Sequence, residues 1–522
     1  MVQIGTHRYN LTLNNIAAEN EQKIMPINLM TISNFGGTDA DEDALLLDSF
    51  EDHPAYSQIV HHERFCILGR KGSGKTAIFK KILQDRQANT FSFGHTFTDY
   101  PWHHHDKQRK VGVPEEQCFV QSWTYLCLIS LSKILLNQDH SQPYCESTVD
   151  HIQRVERFIL DTYGSRDPDV TQIFSPSHKL RFSGDIGIDW KIFKASTKID
   201  SIEMVHLPTI AQEVNHNLRT SVIESLNPDN HYYVLFDQLD LGFSIEDKAY
   251  SLRLIGLLLA AKELNVLAKA KGKKLTIGIF LRDDIYGSLR FEDKNKITEN
   301  FAAPVYWDHG PNHRTLKSLM EKRFTTVTQS SKHIDWEEVF DELHKMTGRQ
   351  TKYQYMSDRT FLRPRDMIKF CNETLTAYKA CMDGAGSFEN KHILAAQSHY
   401  SDYLYRELED EIHKQISNYE FYVEVLKNLD SLQFTRDDFL KSWESRRSLL
   451  SGDDKPDLAL KQLYNFSLIG YYSPGGGAGG SEYIWKYKDQ KSTFNENASQ
   501  FRVHPGFKEV LGLKKFSRSD PG

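Results

Sequence analysis

The sequence predicts an α/β domain with a mainly parallel sheet, followed by a helical lid and a C-terminal winged-helix-like domain. Between about residues 60 and 300, strand-like apolar runs alternate with helix-length amphipathic stretches, which is typical of α/β domains. Strand-like runs then stop over about 308–400, and the last stretch joins helices to a hairpin-like segment. A chain of 522 residues is too long for one compact core, so several domains are expected.

The predicted domains follow one another without an internal repeat. Residues 1–55 are polar, with an acidic patch just before Leu45-Leu46-Leu47, and we expect an N-terminal arm and a short lead-in helix there. The other boundaries follow from the patterns above: 56–307 for the α/β core, 308–405 for the lid, 406–516 for the winged-helix-like domain and 517–522 for a tail.

The core contains five strand candidates: Phe65–Leu68, Thr90–Thr98, Tyr232–Phe236, Leu275–Leu281 and Val305–Trp307. Two long segments between them, Glu115–Asn137 and Glu246–Lys271, carry apolar residues three and four positions apart and are predicted helices. Residues 181–193 alternate apolar and polar residues around glycines, which predicts an inserted β-hairpin.

The lid is predicted from four amphipathic segments: Arg314–Thr326, Asp335–Met346, Pro364–Tyr378 and Lys391–Tyr405. The winged-helix-like domain is predicted from its end, where Ser467–Tyr472 and Tyr483–Lys488 are strand-like and a glycine-rich turn joins them. Phe501–Pro505 follows as a further short strand.

The strongest motif lies between the first predicted strand and the first helix of the core. It satisfies the P-loop pattern G-x-x-x-x-G-K-[ST] with the residues Gly69, Arg70, Lys71, Gly72, Ser73, Gly74, Lys75 and Thr76. Glycines let backbone N–H groups approach phosphates closely, and the following helix adds its positive N-terminal end. We expect Lys75 to reach the β- and γ-phosphates of ATP, and the Thr76 hydroxyl to ligate Mg²⁺.

A P-loop also predicts a carboxylate at the end of a neighbouring strand. Asp237 ends the apolar run His231–Phe236, so it is the predicted metal-side carboxylate. Hydrolysis further needs a group that orients or deprotonates water. We assign this role to Asp240, assisted by Gln238, narrowly ahead of the alternative in which Asp240 only caps the next helix.

Charge that develops on the γ-phosphate must be met by cations. Arg282 ends the strand candidate Leu275–Leu281 and should emerge at the same sheet edge as Asp237. Arg365 follows Pro364, which favours the first turn of a lid helix. Arg282 and Arg365 are therefore predicted catalytic cations, with Arg363 as the competitor to Arg365.

Charge, cysteine content and hydropathy limit the expected partners and compartment of the protein. The formal net charge of −6 removes any whole-protein electrostatic argument for nucleic acid or anionic membranes, although a local basic face stays open. The six cysteines form no CxxC pair, which favours reduced thiols. No leader-like segment and no apolar stretch of about eighteen residues stands out, so we expect a cytoplasmic protein without a membrane partner.

The segment His103–Asp106 is better explained as a solvated loop than as a metal site, because adjacent histidines on an extended segment point to alternate faces.

Taken in order, "LGRKGSGKTAIF", "VLFDQLD", "IGIFLRDDI", "VYWDHG…LKSLMEKRF" and "FLRPRDMIKFCNETL" resemble a family of bacterial P-loop ATPases. The branch is that of the AAA+ proteins that includes origin-recognition and STAND-type ATPases, relatives of which recur among phage-defence genes. The resemblance implies a sensor-1-type role for Arg282 and a sensor-2-type role for Arg365. Gln238 departs from the Glu of active AAA+ motors. An arginine finger acting in trans is normal for this family, with Arg290 and Arg314 as guesses.

The leading functional hypothesis is an ATP-driven switch that controls assembly with itself, as a homo-oligomer, or with a separate effector protein, in anti-phage defence. Two alternatives stay open. One is an ATP-dependent DNA-binding protein that uses its winged helix, for which Arg446, Arg447 and Lys514-Lys515 are the supporting cations. The other is an ATP-bound scaffold that does not hydrolyse ATP, because Gln238 replaces the expected Glu.

Overall fold

The computed structural model describes residues 27–85, 87–97, 115–174, 207–240, 247–309, 314–382, 384–413, 415–475 and 480–514. The predicted hairpin near 181–193, the segment His103–Asp106 and the tail 517–522 lie outside the described residues.

A five-stranded parallel sheet forms the centre of the core, as the sequence predicts. Its strands are β1 (Cys66–Gly69), β2 (Thr90–Thr96), β3 (His231–Asp237), β4 (Lys274–Arg282) and β5 (Ala302–Pro304). They lie in the order β2-β3-β4-β1-β5. In β3, every residue from Tyr232 to Asp237 is buried, which is expected of a parallel strand covered on both faces.

The fifth strand lies three residues earlier than predicted. It pairs with β1 through Ala302–Pro304, whereas the sequence predicted Val305–Trp307. The N–H of the next residue, Val305, makes the last bond to β1, to the carbonyl of Leu68 at 2.7 Å. Trp307 instead leaves the sheet and donates its indole N–H to the carbonyl of Ser73, at 2.9 Å.

Helices cover both faces of this sheet. They are α1 (Pro54–Val60), α2 (Lys75–Leu83), α3 (Glu115–Asn137), α4 (Val149–Tyr163), α5 (Val170–Phe174), α6 (Leu207–Ser225), α7 (Lys248–Ala270), α8 (Asp283–Ser288) and α9 (Lys294–Asn300). On one face, α1 and α2 pack on Tyr233 and Leu235 of β3. On the other, α3 and α7 pack on Tyr232, Val234 and Phe236. The alternation of side chains along β3 thus builds two cores.

Within the described residues, one helical stretch, Phe119–Asn137 of α3, is long and apolar enough to cross a membrane. No apolar stretch of that length was expected from the sequence. The mean hydropathy of the stretch is 1.4, and 78% of it is buried inside the fold. Because α3 packs against the sheet, α6 and α7, apolar residues are needed around most of its surface.

The lid consists of α10 (Leu316–Val327), α11 (Trp336–Val339), α12 (Lys352–Ser357), α13 (Pro364–Cys381) and α14 (Asn390–Ile412). The helix α11 is much shorter than the predicted Asp335–Met346. Asp341 ends it, because its carboxylate accepts the backbone N–H of Leu343 at 3.1 Å and so favours a turn. Phe340 also bridges to Phe388 in a strand-like contact.

The C-terminal region contains α15 (Tyr419–Lys427), α16 (Arg436–Arg446) and α17 (Pro456–Asn465), with β6 (Gln433–Thr435), β7 (Ile469–Ser473), β8 (Glu482–Ile484) and β9 (Gln500–Val503). The strands form an antiparallel sheet in the order β6-β9-β7-β8. One apolar core runs from the lid into this region, where Phe361 packs on Tyr487 and Phe507.

The described part of the predicted N-terminal arm, residues 27–53, packs on the lid. Arg323 of α10 pairs with Asp43 at 2.7 Å and also donates to the carbonyl of Phe35. Gly36, at a φ of 108°, lies against this arginine, and a Cβ there would come within 1.9 Å of its Nη1. Only glycine fits this close approach. The segment therefore reaches the edge of the core near the P-loop.

Candidate nucleotide site

The segment Gly69–Thr76 turns between β1 and α2. Gly69 ends the strand, Lys75 begins the helix, and Gly74 is its N-cap at a φ of 101°. Gly72 has a φ of 78°, and a Cβ on it would lie 3.1 Å from the side chain of Arg365. Both positions therefore require glycine. The segment is a P-loop.

Lys75 is folded over this loop. Its Nζ donates to the carbonyl oxygens of Gly69, at 2.9 Å, and Arg70, at 3.0 Å. Burial lowers the pKa of its ammonium group, while Asp240 and Asp237 oppose that shift. The lysine is thus a desolvated cation with two exchangeable neutral partners.

Asp237 lies at the carboxyl end of β3 and is buried. A hydrogen bond with the Thr76 side chain favours its charged form, but burial dominates and raises the pKa of its carboxyl. The second oxygen, Oδ2, is buried and has no hydrogen-bond partner among the described residues. The structure therefore brings together the two residues predicted to face Mg²⁺.

The two residues predicted to activate water, Gln238 and Asp240, each lie close to a charged side chain of the protein. Gln238 has a φ of 59°, and its amide nitrogen lies 3.4 Å from the carboxylate of Asp41 in the N-terminal segment. Asp240 Oδ2 lies 3.6 Å from Nη1 of Arg282. The structure places Asp240 beside the predicted catalytic cation, and the roles predicted for Asp240 and Gln238 stay predictions.

Arg282 lies directly beside the P-loop, since its Cα pairs with that of Gly69 in the register of β4 and β1. Its guanidinium donates to both oxygens of Asp284, from Nε at 3.0 Å and from Nη2 at 2.6 Å. This pair and Asp240 raise the pKa of the arginine against the effect of burial.

The two lid arginines approach the P-loop in different ways. Arg365 lines the cleft: its Nε donates to the carbonyl of Thr38 at 2.9 Å, and Nη1 donates to Glu407 at 2.7 Å. Arg363 is only 2% exposed, and its Nη1 donates to the backbone carbonyl of Lys71 at 3.1 Å. Arg363 thus binds the P-loop backbone, whereas Arg365 faces the space beside it.

Arg363 is held by two buried acids. Its Nε and Nη2 donate to Asp366 at 2.9 and 2.8 Å, and its Nη1 lies 3.2 Å from Glu411 of α14. Four positions before Glu411 on the same helix, Glu407 pairs with Arg365 and lies 3.8 Å from Nζ of Lys71. The helix α14 thus presents two carboxylates to the cations around the P-loop.

Buried polar atoms without a hydrogen-bond partner in the described part of the chain surround the P-loop: Arg70 Nη1, Ser73 Oγ, Asp237 Oδ2 and Asp283 Oδ2. Each such atom costs about 1–3 kcal/mol when nothing satisfies it. Donors and acceptors left open in one place are what a polar ligand would satisfy.

An open cleft borders the P-loop at Gly72, Gly74, Lys75 and Thr76. The N-terminal segment, the P-loop, α10 and α13 line it, with Asp43, Phe50, Trp307, Arg323 and Arg365 among the lining residues. A ligand in this cleft would contact the core and the lid together.

Sequence reasoning missed three acids of the site: Asp283, Glu407 and Glu411. Asp283 could have been found, because it follows Arg282 at the carboxyl end of a predicted strand, where ligands bind. Glu407 and Glu411 had no such signal, since acidic residues four positions apart on a helix usually face solvent.

Comparisons with known proteins agree with parts of this description. Residues 314–409 match the family described as the FunZ-associated C-terminal helical domain, and they overlap the predicted lid. The chain is 22% identical over 382 residues to a putative transposon gamma-delta 80.3 kDa protein of Escherichia coli strain K12. That alignment covers 67% of this chain and 48% of the relative, so the chain spans about half of the relative's length.

Among solved structures, the chain is similar to a Walker-type ATPase of Pyrococcus abyssi. The two are 13% identical, with a TM-score of 0.37 over 93% of this chain and 100% of the other.

Proposed function

We propose that this chain binds Mg·ATP at the carboxyl edge of its parallel sheet and hydrolyses it. The observation that carries the proposal is the P-loop with its desolvated Lys75, together with the unpartnered buried atoms in the loop and at the neighbouring strand ends, all within the described residues. An open cleft borders the loop at Lys75 and Thr76. A P-loop at the end of a parallel strand presents backbone N–H groups and a helix N-terminus to phosphate.

The residues of the site fit both phosphate and magnesium. Lys75 can exchange its bonds to the carbonyls of Gly69 and Arg70 for the β- and γ-phosphates. The hydroxyl of Thr76 and the buried carboxylate of Asp237 are oxygen ligands of the kind that Mg²⁺ prefers, directly or through water. When bound there, Mg²⁺ would neutralise part of the charge of the phosphates.

The cleft supplies a place for the nucleoside. It lies between the N-terminal segment and the lid, with Thr38 on one side and Ile368 of α13 on the other. A nucleotide that spans the P-loop and this cleft would contact three parts of the chain that are distant in sequence. This arrangement supports a role for the nucleotide in fixing the position of the lid.

We extend the proposal to a switch. Arg365 contacts the N-terminal segment through Thr38, the P-loop through Gly72 and α14 through Glu407. A bound phosphate competes for this cation, so the contacts of the lid change with nucleotide state. The apolar core that the lid shares with the C-terminal region passes such a change on to α15–α17 and their sheet.

The output of the switch is proposed to be assembly, with a second copy or with a separate effector protein. The ordered motifs that resemble AAA+ and STAND-type ATPases support this proposal, and with it a proposed role in anti-phage defence. Helices α15–α17 followed by the strands β7 and β8 support assignment of residues 406–516 as a winged-helix-like domain.

The contacts of α17 speak against DNA reading as the main output. Lys461 lies 3.6 Å from Glu496, and Arg436 of α16 pairs with Asp457 at the start of α17. Cations that are paired with acids offer little net charge to DNA phosphates. We therefore propose that protein assembly, and not DNA binding, is the output of the switch.

Hydrogen–deuterium exchange tests the switch. The chain is compared without nucleotide, with Mg·ADP and with Mg·ATP. We expect ATP to protect the P-loop and to change exchange in α13 and α14, with a further change in residues 419–514. Protection confined to the P-loop would leave an ATP-binding protein without the proposed switch. Sedimentation under the same three conditions tests assembly, and an unchanged sedimentation coefficient with ATP would exclude self-assembly as the output.

A further inference from the structure

Four acidic residues follow the ends of β3 and β4, at the edge of the sheet that carries the P-loop. They are Asp237, Asp240, Asp283 and Asp284. Asp237 is bonded to Thr76 on the side of the predicted metal. The other three are candidates for the group that handles the attacking water, and their contacts separate them.

Asp284 and Asp240 are engaged with the same cation. Both oxygens of Asp284 accept from Arg282, at 3.0 and 2.6 Å. Asp240 Oδ2 lies 3.6 Å from another nitrogen of the same guanidinium, and its side chain is 32% exposed. These two carboxylates therefore fix Arg282, and neither is a free buried acceptor.

Asp283 is held differently. Its Oδ1 accepts the backbone N–H of Asp284 at 2.9 Å, which fixes the side chain at the first turn of α8. Its Oδ2 is buried and has no hydrogen-bond partner among the residues that the structure describes. A buried acceptor left open at the edge of a phosphate site is arranged to meet a polar group that the protein itself does not supply.

The surroundings of Asp283 suit proton transfer. Burial, followed by the charge of Asp284, raises the pKa of the Asp283 carboxyl, while Arg70 and Lys75 act in the opposite direction. A carboxylate with a raised pKa is a stronger base than an ordinary aspartate. The same two cations belong to the P-loop, and Asp283 in turn favours the charged form of both.

We infer that Asp283 is the general base of the site and accepts a proton from the water that attacks ATP. The inference rests on the proposed function. A bond forms between the water oxygen and the γ-phosphorus, and the bond from that phosphorus to the β–γ bridging oxygen breaks. The bridging oxygen leaves with ADP, and Oδ2 of Asp283 takes the proton. Asp240 then serves to position Arg282.

The test compares four variants, Asp283→Asn, Asp283→Glu, Asp240→Asn and Asp437→Asn, in single-turnover hydrolysis of γ-labelled Mg·ATP, with ATP affinity measured separately by calorimetry. Asp283→Asn removes the base with little change in shape. Asp240→Asn removes one carboxylate from the same sheet edge and is the matched comparison. Asp437→Asn, at an exposed position of α16, is the control for a distant loss of charge.

We expect Asp283→Asn to bind ATP within about threefold of the unmodified chain and to hydrolyse it about 100-fold more slowly or worse. Asp240→Asn should lose less than about tenfold, since it acts through another residue. Asp283→Glu, which restores a carboxylate, should recover part of the rate. The rate of the unmodified chain should fall as the pH drops through the raised pKa of Asp283, and this acidic limb should be missing in Asp283→Asn.

Two results would overturn the inference. One is an Asp283→Asn variant that binds and hydrolyses ATP like the unmodified chain. The other is a rate loss in Asp283→Asn that keeps the acidic limb and is not recovered by Asp283→Glu, which would show a structural role. Failure of the unmodified chain itself to bind ATP would instead overturn the proposed function, and the inference with it.

Discussion

The sheet edge and the lid both lie beside the P-loop, and they hold their charged groups in opposite ways. On the sheet side, Asp237 Oδ2, Asp283 Oδ2 and Arg70 Nη1 are buried without hydrogen-bond partners in the described part of the chain. On the lid side, Arg363 is bonded to Asp366 and Glu411, and Arg365 is bonded to Glu407.

The difference indicates how a ligand would act on each side. The sheet side has buried carboxylate oxygens left open, which phosphate cannot satisfy directly but which Mg²⁺ or water bound with the nucleotide can. On the lid side, Arg365 already donates to Thr38 and Glu407, so a phosphate that binds Arg365 competes with these acceptors for its charge. Binding energy gained at the sheet can thus be used to rearrange the lid.

The largest expected effect is the loss of folding stability when Arg363, on the lid side, is removed. Arg363→Ala leaves Asp366 and Glu411 buried without their shared cation, and we expect the free energy of unfolding to fall by about 3–5 kcal/mol. Urea denaturation measures it. The control is Arg447→Ala, whose pair with Glu444 is exposed and should contribute at most about 1 kcal/mol. Equal losses in the two variants would show that the lid network is no more stabilising than a surface pair.

The sheet side is tested by Lys75→Ala. Because the ammonium group is the P-loop cation that meets the β- and γ-phosphates, we expect ATP affinity to fall by about 100-fold or more. Calorimetry with Mg·ATP measures the change. Lys248→Ala, an exposed lysine in the first turn of α7, is the control and should bind as the unmodified chain does. Unchanged affinity in Lys75→Ala would rule out the P-loop as the nucleotide site.

A smaller change in ATP affinity, an increase instead of a loss, is expected at the boundary between the sheet side and the lid side. Glu407→Gln removes the charge that holds Arg365 and lies near Lys71, so phosphate no longer competes with a carboxylate. We expect ATP affinity to rise by about three- to tenfold, a change of roughly 1 kcal/mol. Fluorescent-nucleotide titration measures it, with Glu424→Gln, from a surface pair with Lys427, as the control. Weaker binding in Glu407→Gln would show that this acid supports the bound state.

The smallest effect is expected from DNA. Since Lys461 and Arg436 are paired with acids, added double- or single-stranded DNA should change the rate of phosphate release by less than about twofold. A stimulation of tenfold or more would show that the C-terminal region binds DNA. The sheet edge and the lid would then not be the only functional surfaces of the described chain.

The sequence predicts the sheet side of this site better than the lid side. The P-loop and the ends of β3 and β4 are local patterns. In each, a few adjacent residues indicate both the secondary-structure element and the chemical role of its side chains. The contact of Arg365 with Thr38 joins residues 327 positions apart, and that of Arg363 with Lys71 joins residues 292 apart. No periodicity or motif encodes such pairs.

Two differences in the fold have the same kind of cause. The strand β5 lies at 302–304 because it pairs with the short β1, which ends at Gly69 where the P-loop begins. The helix α11 ends at Val339 because a side-chain turn at Asp341 and a bridge from Phe340 to Phe388 replace its next turn. Tertiary contacts decided both, whereas the sequence pattern alone favoured longer regular elements.

The most direct test of the central claim is phosphate release by the purified chain with Mg·ATP, measured beside Lys75→Ala and beside the same reaction in excess EDTA. If the site hydrolyses ATP, we expect slow phosphate release that requires Mg²⁺ and falls to background in Lys75→Ala. Release that is equal in the variant and the unmodified chain, or that is absent from both while ATP still binds, would contradict the claim that this site hydrolyses ATP.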